Sequence, residues 1–219
     1  VFDPLDQLSI TTDYWYLRIN DAVTPVDAQH ALDASALGTP LPGIEVIHVN
    51  NDPTGPLLRL RVPTANLGRS ENAGVDVLTQ FSTNIDTTHI TLSNDYARKF
   101  YTKTVPYPGA AQVDFLGDRG HPAWRMVNTG TIGASGHDVT LRNNIIAQQR
   151  KTPTPEAGGH MGSYSTYDVQ YQWTHPWNGS IAVGALNVLN KDFPKDDNER
   201  RGDDQRVEEL FSANGRMVY

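Results

Sequence analysis

Residues 167–174, Tyr-Asp-Val-Gln-Tyr-Gln-Trp-Thr, alternate without a break between aromatic or aliphatic and polar side chains. On an extended chain a period of two puts Tyr167, Val169, Tyr171 and Trp173 on one face and Asp168, Gln170, Gln172 and Thr174 on the other. On a helix the same order would scatter both kinds around the cylinder and leave no face to bury. The pattern recurs. Val139, Leu141, Ile145 and Ala147 alternate with Thr140, Arg142, Asn144 and Gln148, and Ala73, Val75, Val77 and Phe81 alternate with Gly74, Asp76 and Gln80. Further strands are expected over Leu8 to Ile19, His89 to Phe100, Trp124 to Gly133 and Ser180 to Leu189, with another opening at Arg216 to Tyr219. The expected fold class is all-β and antiparallel.

The connections constrain the arrangement further. Strand starts at Leu8, Ala73, Thr88, Pro122, Asp138, Tyr164, Ser180 and Arg216 lie roughly 65, 15, 34, 16, 26, 16 and 36 residues apart, against about 10 to 14 residues per strand. Every second connection is therefore a tight turn: Thr83 to Thr87, Gly133 to His137, and Pro176-Trp177-Asn178-Gly179, whose Asn-Gly pair suits a primed hairpin. The others, about 21–56, 103–121, 150–163 and 191–215, are long and polar, and the first carries a short helix expected over Val26 to Ala36. A soluble sandwich has no reason to gather its short turns at one end. A transmembrane β-barrel does, with short periplasmic turns, long extracellular loops, an apolar band edged by aromatic girdles, and a polar interior.

Composition agrees with a sheet solvated by lipid on one face. The 219 residues are only 38% hydrophobic, with a mean hydropathy of -0.48. The longest uncharged apolar run, near Ile181 to Leu186, falls far short of the roughly 20 residues of a membrane helix. Twenty-five acidic against 18 basic residues give a net charge of -7 with no Lys/Arg stripe, which excludes a nucleic-acid partner. Without cysteine there is no disulfide framework, Cys-based zinc site or thiol catalysis. Seven scattered histidines show no metal-ligand spacing, so no metal or cofactor is expected. Ser, His and Asp are present without a Gly-x-Ser-x-Gly elbow, and no enzyme is expected. Gly158-Gly159-His160-Met161-Gly162 lacks the Lys and the preceding apolar strand of a phosphate loop and is expected to be a flexible loop. Asn178-Gly179-Ser180 matches a glycosylation sequon, but the hairpin accounts for it.

Several segments carry a family resemblance. Leu8 to Val23, with Asp13-Tyr14-Trp15 and Asp21-Ala22-Val23, resembles a strand in the C-terminal half of TonB-dependent outer-membrane receptors. Asn66-Leu67-Gly68 through Gly74-Val75-Asp76-Val77 is similar to another of their strand openings, and Pro122-Ala123-Trp124-Arg125 to a third. Tyr167 to Tyr171, Pro176 to Gly179, Gly184-Ala185-Leu186-Asn187-Val188-Leu189-Asn190-Lys191 through Pro194, and Gly215 to Tyr219 resemble the closing hairpins. The motifs follow the family's order along nearly the whole chain.

The resemblance implies that residues 1–219 form the C-terminal portion of such a barrel, eight of about 22 strands around a plugged lumen, with the plug outside this segment. It implies active import of a scarce nutrient, an iron-siderophore, carbohydrate, peptide or similar, across the outer membrane of a Gram-negative bacterium. The partners implied are the plug and remaining strands, the TonB complex acting through the plug, lipid or lipopolysaccharide, and the small-molecule nutrient. In phase with a barrel, Asp13, Asp76, Asp95, Arg125, Arg142 and Asp168 are expected to line the lumen, as a hydrated charge ladder before any direct substrate contact. Tyr14, Tyr16, Trp124, Tyr164, Tyr167, Tyr171, Trp173 and Trp177 are expected at the membrane interfaces rather than as a sugar-stacking platform. The acidic and basic residues of 191–215, from Asp192 to Arg206, are expected to form a solvated loop or a lipopolysaccharide contact. Two alternatives stay open: a soluble or secreted all-β carbohydrate-binding module, and a small stand-alone outer-membrane barrel.

Overall fold

The computed structural model describes residues 1–24, 28–40, 43–52, 55–62, 65–151, 159–175, 179–195, 210 and 215–219. It is mostly antiparallel β-sheet, 65% strand with almost no helix. The strands are β1 (Phe2–Leu5), β2 (Leu8–Thr24), β3 (Glu45–His48), β4 (Leu57–Arg61), β5 (Ala65–Ile85), β6 (Thr88–Val105) and β7 (Val113–Asp114), then β8 (Trp124–Ala134), β9 (His137–Ile146), β10 (Gln149–Arg150), β11 (His160–Met161), β12 (Tyr164–His175), β13 (Gly179–Leu186) and β14 (Met217–Val218). The one α-helix among the described residues is α1 (Ala28–Ala36).

Ten strands form one sheet in the order β1-β2-β5-β6-β8-β9-β12-β13-β14, with β7 added to β6. Each long strand therefore pairs with the next long strand in the chain, the simplest consequence of two-residue hairpins alternating with long excursions. Three tight turns among the described residues lie at one end. Leu5 pairs with Leu8, β5 ends at Ile85 and β6 starts at Thr88, and Ala134 pairs with His137; the turn after His175 lies outside the described residues. Asp86 (φ 53°), Ser135 (φ 54°) and Gly136 (φ 83°) take the left-handed conformation that matches hairpin twist. The sheet keeps two edges, β1 and β14, and no closed barrel forms among the described residues. Both edge strands are short, four and two residues.

All eight expected strand segments are strands, but their ends differ. β1 was not expected, since Pro4 interrupts its alternation; Pro is tolerated on an edge strand, whose outer N–H groups need no partner. β5 begins eight residues before Ala73, along a polar stretch where Glu71 lies 3.3 Å from Arg69 and 3.6 Å from Arg18. β13 stops at Leu186 rather than Leu189 because Asn187 turns to φ 47°. The helix is present, capped by Gly38 at φ 72°, with Gly38 N–H donating to Ser35 O and Thr39 N–H to Ala34 O.

The chain forms two compact units. One comprises Val1–Trp15, Ala73–Tyr101 and Phe115–Tyr219; the other comprises Tyr16–Asn72 and Thr102–Asp114. Within the second, α1 lies against β3 with Ala31 and Ala34 buried, and β3 pairs with β4. The connections expected at 21–56, 103–121 and 150–163 thus hold local structure: the first contains α1 and β3, with β4 beginning just past its end at Leu57, and the others contribute β7 and β11.

Little of either unit is an apolar core. The buried apolar side chains among the described residues are Ala31, Ala34, Ala73, Ala147 and Met161. Leu92, Leu141, Ile132 and Ile181 on the long strands remain 48–62% exposed. No helix among the described residues is long and apolar enough to cross a membrane, which says nothing of strands.

Candidate functional site

Register separates the side chains of β6, β8, β9, β12 and β13 into two faces. One face carries the rows Ile90–Ile132–Val139–Tyr171–Val183 and Leu92–Gly130–Leu141–Val169–Ala185. The other carries Thr91–Thr131–Thr140–Gln170, Ser93–Thr129–Arg142–Asp168 and Asp95–Val127–Asn144–Thr166. Side chains meet across neighbouring strands along this face. Thr131 and Thr140 share a hydrogen bond at 2.8 Å, and His89 Nε2 lies 3.0 Å from Asp138 Oδ1.

Aromatic residues bound the apolar face at both ends. Near the long loops, Tyr14 stacks on Phe100 at 6.3 Å between ring centroids, and Trp124 lies 6.1 Å from Tyr96. Near the tight turns, His137 stacks at 6.1 Å on both Tyr171 and Trp173 and shares a 2.7 Å hydrogen bond with the Tyr171 hydroxyl. Tyr167 lies on the same face, and Tyr16 is exposed. Tyr164 sits on the polar face, where its hydroxyl donates to Lys191 O at 3.1 Å. Trp177 lies outside the described residues.

By register Asp95, Arg125, Arg142 and Asp168 share the polar face. The structure brings two of the six expected lumen residues, Asp76 and Arg125, into one cavity of about 260 Å³, lined also by Trp15, Ala97, Lys99 and Pro122. Gly74 makes room for the indole: a Cβ there would come within 2.5 Å of Trp15 Cζ2 and of Arg98 O. An aromatic wall beside a carboxylate and a guanidinium suits a ligand with an apolar ring face and hydroxyl or acidic groups. Sequence reasoning missed Trp15. Its signal was its phase, one residue out of step with Tyr14 and Tyr16 and therefore on the opposite side of β2. Asp13 lies two residues before it, exposed, on the Trp15 side by alternation.

Asp168 has a different task. Its Oδ1 accepts from Asn187 N–H at 2.8 Å and its Oδ2 from Asn144 Nδ2 at 2.9 Å. Asn187 then closes a turn on itself, accepting from Lys191 N–H at 2.8 Å and donating to Lys191 O at 3.0 Å. Asn190, at φ 53°, accepts from Arg216 N–H at 2.9 Å. The Gly-x-x-Asn-x-x-Asn-Lys segment therefore fastens both ends of the last long loop. Within that loop the charged residues 196–206 lie outside the described residues; of those described, Lys195 stands 6.0 Å over the Phe193 ring.

The long loops also hold one another. Gln149 is buried and accepts from Gly120 N–H at 2.7 Å; Arg150 donates through its backbone to Gly117 O and pairs through its side chain with Asp118. Met161 is buried against Ile146, Tyr164, Phe193 and Leu210. Of the Gly158 to Gly162 segment, residues 159–162 are described, and His160–Met161 pair with Gln149–Arg150 instead of forming a free loop. Among the described residues no group of three or more His, Asp or Glu side chains is placed to hold a metal ion.

No family profile, no curated protein and no solved structure matches the chain.

Proposed function

We propose that these strands are the C-terminal part of the β-barrel of a TonB-dependent outer-membrane receptor, a transporter and not an enzyme, in a Gram-negative bacterium. The observation that carries this reading is the apolar face bounded by aromatic residues at both ends, opposite a polar face, with the tight turns at one end only. Its height fits. Trp124 and the Ala134–His137 row are ten residues apart on β8, about 33 Å at 3.3 Å per residue, or about 25 Å for strands tilted by about 40°. That is the apolar height of an outer-membrane barrel.

In this reading further strands of the same receptor, about 22 in all, meet the β1 and β14 edges and close the ring. The polar face lines a lumen filled by a plug, and the plug passes force from the TonB complex. Lipid and lipopolysaccharide cover the apolar face and the loop margins. The nutrient, a small molecule such as an iron-siderophore, carbohydrate or peptide, passes along the polar face, where the Trp15–Asp76–Arg125 cavity offers it an aromatic wall beside both signs of charge.

The test is fractionation of the expressed full-length protein followed by gel electrophoresis with and without heating. The expected result is a carbonate-resistant outer-membrane protein that needs detergent and whose folded form migrates apart from its boiled form. A freely soluble monomer without detergent sinks the reading and leaves the all-β binding module.

A further inference from the structure

One row of the apolar face is not apolar. Asn94, Asn128 and Asn143 stand side by side on β6, β8 and β9. Asn94 Nδ2 donates to Asn128 Oδ1 at 2.7 Å, and Asn128 Nδ2 donates to Asn143 Oδ1 at 3.5 Å. Asn143 Nδ2 in turn donates to Ser165 Oγ at 2.8 Å and Thr166 O at 3.1 Å. The tape runs far from either interface: Asn128 is four residues along β8 from Trp124 and six from Ala134. Beside it lies a cavity of about 410 Å³ over Gly130, flanked by Phe81, Leu92 and Leu141.

Polar side chains at mid-depth in hydrocarbon are costly, and those that persist mark functional surfaces. We infer that this patch is a self-association site at which a second copy of the chain docks within the membrane, an inference that rests on the barrel reading. The choice of a second copy follows from the chemistry of the row. A lipid tail gives an amide neither donor nor acceptor, whereas an amide is both, so a row of amides is complementary to itself. A two-fold contact presents the same patch from both sides. The tape's longest bond, Asn128 to Asn143, is at its centre, where the amides have capacity to re-pair across the axis. The hollow over Gly130 receives a leucine of the opposite copy, as small residues let membrane segments approach.

Residues 1–219 hold no cysteine, and with any cysteine elsewhere in the full-length protein replaced by serine, one introduced thiol reports alone. Asn128→Cys in the full-length protein, oxidised with copper phenanthroline in native outer membranes, is expected to give a disulfide-linked homodimer. Ile181→Cys, on the same face but two strands beyond β9, is expected to stay monomeric. In parallel, formaldehyde should cross-link the unaltered chain to itself, and Gly130→Trp, which fills the hollow, should abolish that product while the folded gel band persists. A folded, membrane-inserted Asn128→Cys protein that stays monomeric or links to a different polypeptide overturns the inference and leaves the barrel reading standing. A chain absent from the membrane fraction overturns both. Should Asn128→Cys not fold, the formaldehyde product and its response to Gly130→Trp decide alone.

Discussion

Gly74 and Gly130 differ in what a methyl group would meet, and the difference is testable. At Gly74 a Cβ would lie 2.5 Å from both a backbone carbonyl and the Trp15 ring, neither of which can move without shifting a strand. Gly74→Ala is therefore expected to lower unfolding stability by about 1–3 kcal/mol and to change Trp15 fluorescence. At Gly130 the nearest atom is one Leu92 methyl at 3.3 Å, so Gly130→Ala should leave denaturant unfolding nearly unchanged. Equal effects at the two positions would refute the packing assigned to Trp15. Asp168 gives a second contrast. Asp168→Ala leaves the Asn187 N–H without its carboxylate acceptor and Asn144 Nδ2 with only the 3.5 Å bond to Thr166 Oγ1, and should cost about 1–3 kcal/mol. Asp168→Asn keeps one carbonyl oxygen for the Asn187 N–H and should cost less. A lumen charge that did no more than hydrate the interior would show no difference between these variants. The phase of Tyr167 to Thr174 placed Asp168 on the polar face. It did not disclose the turn that Asp168 holds, because the acceptor and its donors are 19 and 24 residues apart.

At the level of elements, strands and tight turns were legible because each is a local property: a period of two within the strand, and a positive φ at Asp86, Ser135 or Gly136 in the turn. What was not legible depends on neighbours. Asn143 interrupts the Val139, Leu141, Ile145 series, and nothing in that strand alone shows that Asn94 and Asn128 share its row. The loop interior around Met161 draws on residues from Ile146 to Leu210, a span over which sequence has no period to read. The last long loop is the element most open to test. Asn187→Gly accepts φ 47° freely but loses both bonds to Lys191, whereas Asn187→Ala loses them and adds roughly 1 kcal/mol or more of left-handed strain. Limited proteolysis between 191 and 215 should be slowest for Asn187, faster for Gly and fastest for Ala. If Gly matches Asn, the side-chain bonds contribute nothing to holding the loop.

For the whole molecule, the question is what covers the apolar face, and a charge placed on each side of one strand answers it. Thr140 and Leu141 are adjacent on β9 and point to opposite faces. The Leu141 row lies six residues along β8 from Trp124 and four from Ala134, close to the middle of the band. Against hydrocarbon, Leu141→Arg should cost about 2–4 kcal/mol, the penalty for arginine near the bilayer midplane. Thr140→Arg, facing water or a hydrated plug, should cost far less. In water the order collapses: Leu141 is already 48% exposed, and an arginine there would keep its aliphatic stem on the sheet and its charge in solvent. Reversible urea unfolding of the two variants, folded into bilayers of defined lipid, measures the difference directly. A large gap in favour of Thr140→Arg assigns the face to lipid, and equal stabilities return it to water and remove the ground for both the transporter and the membrane dimer.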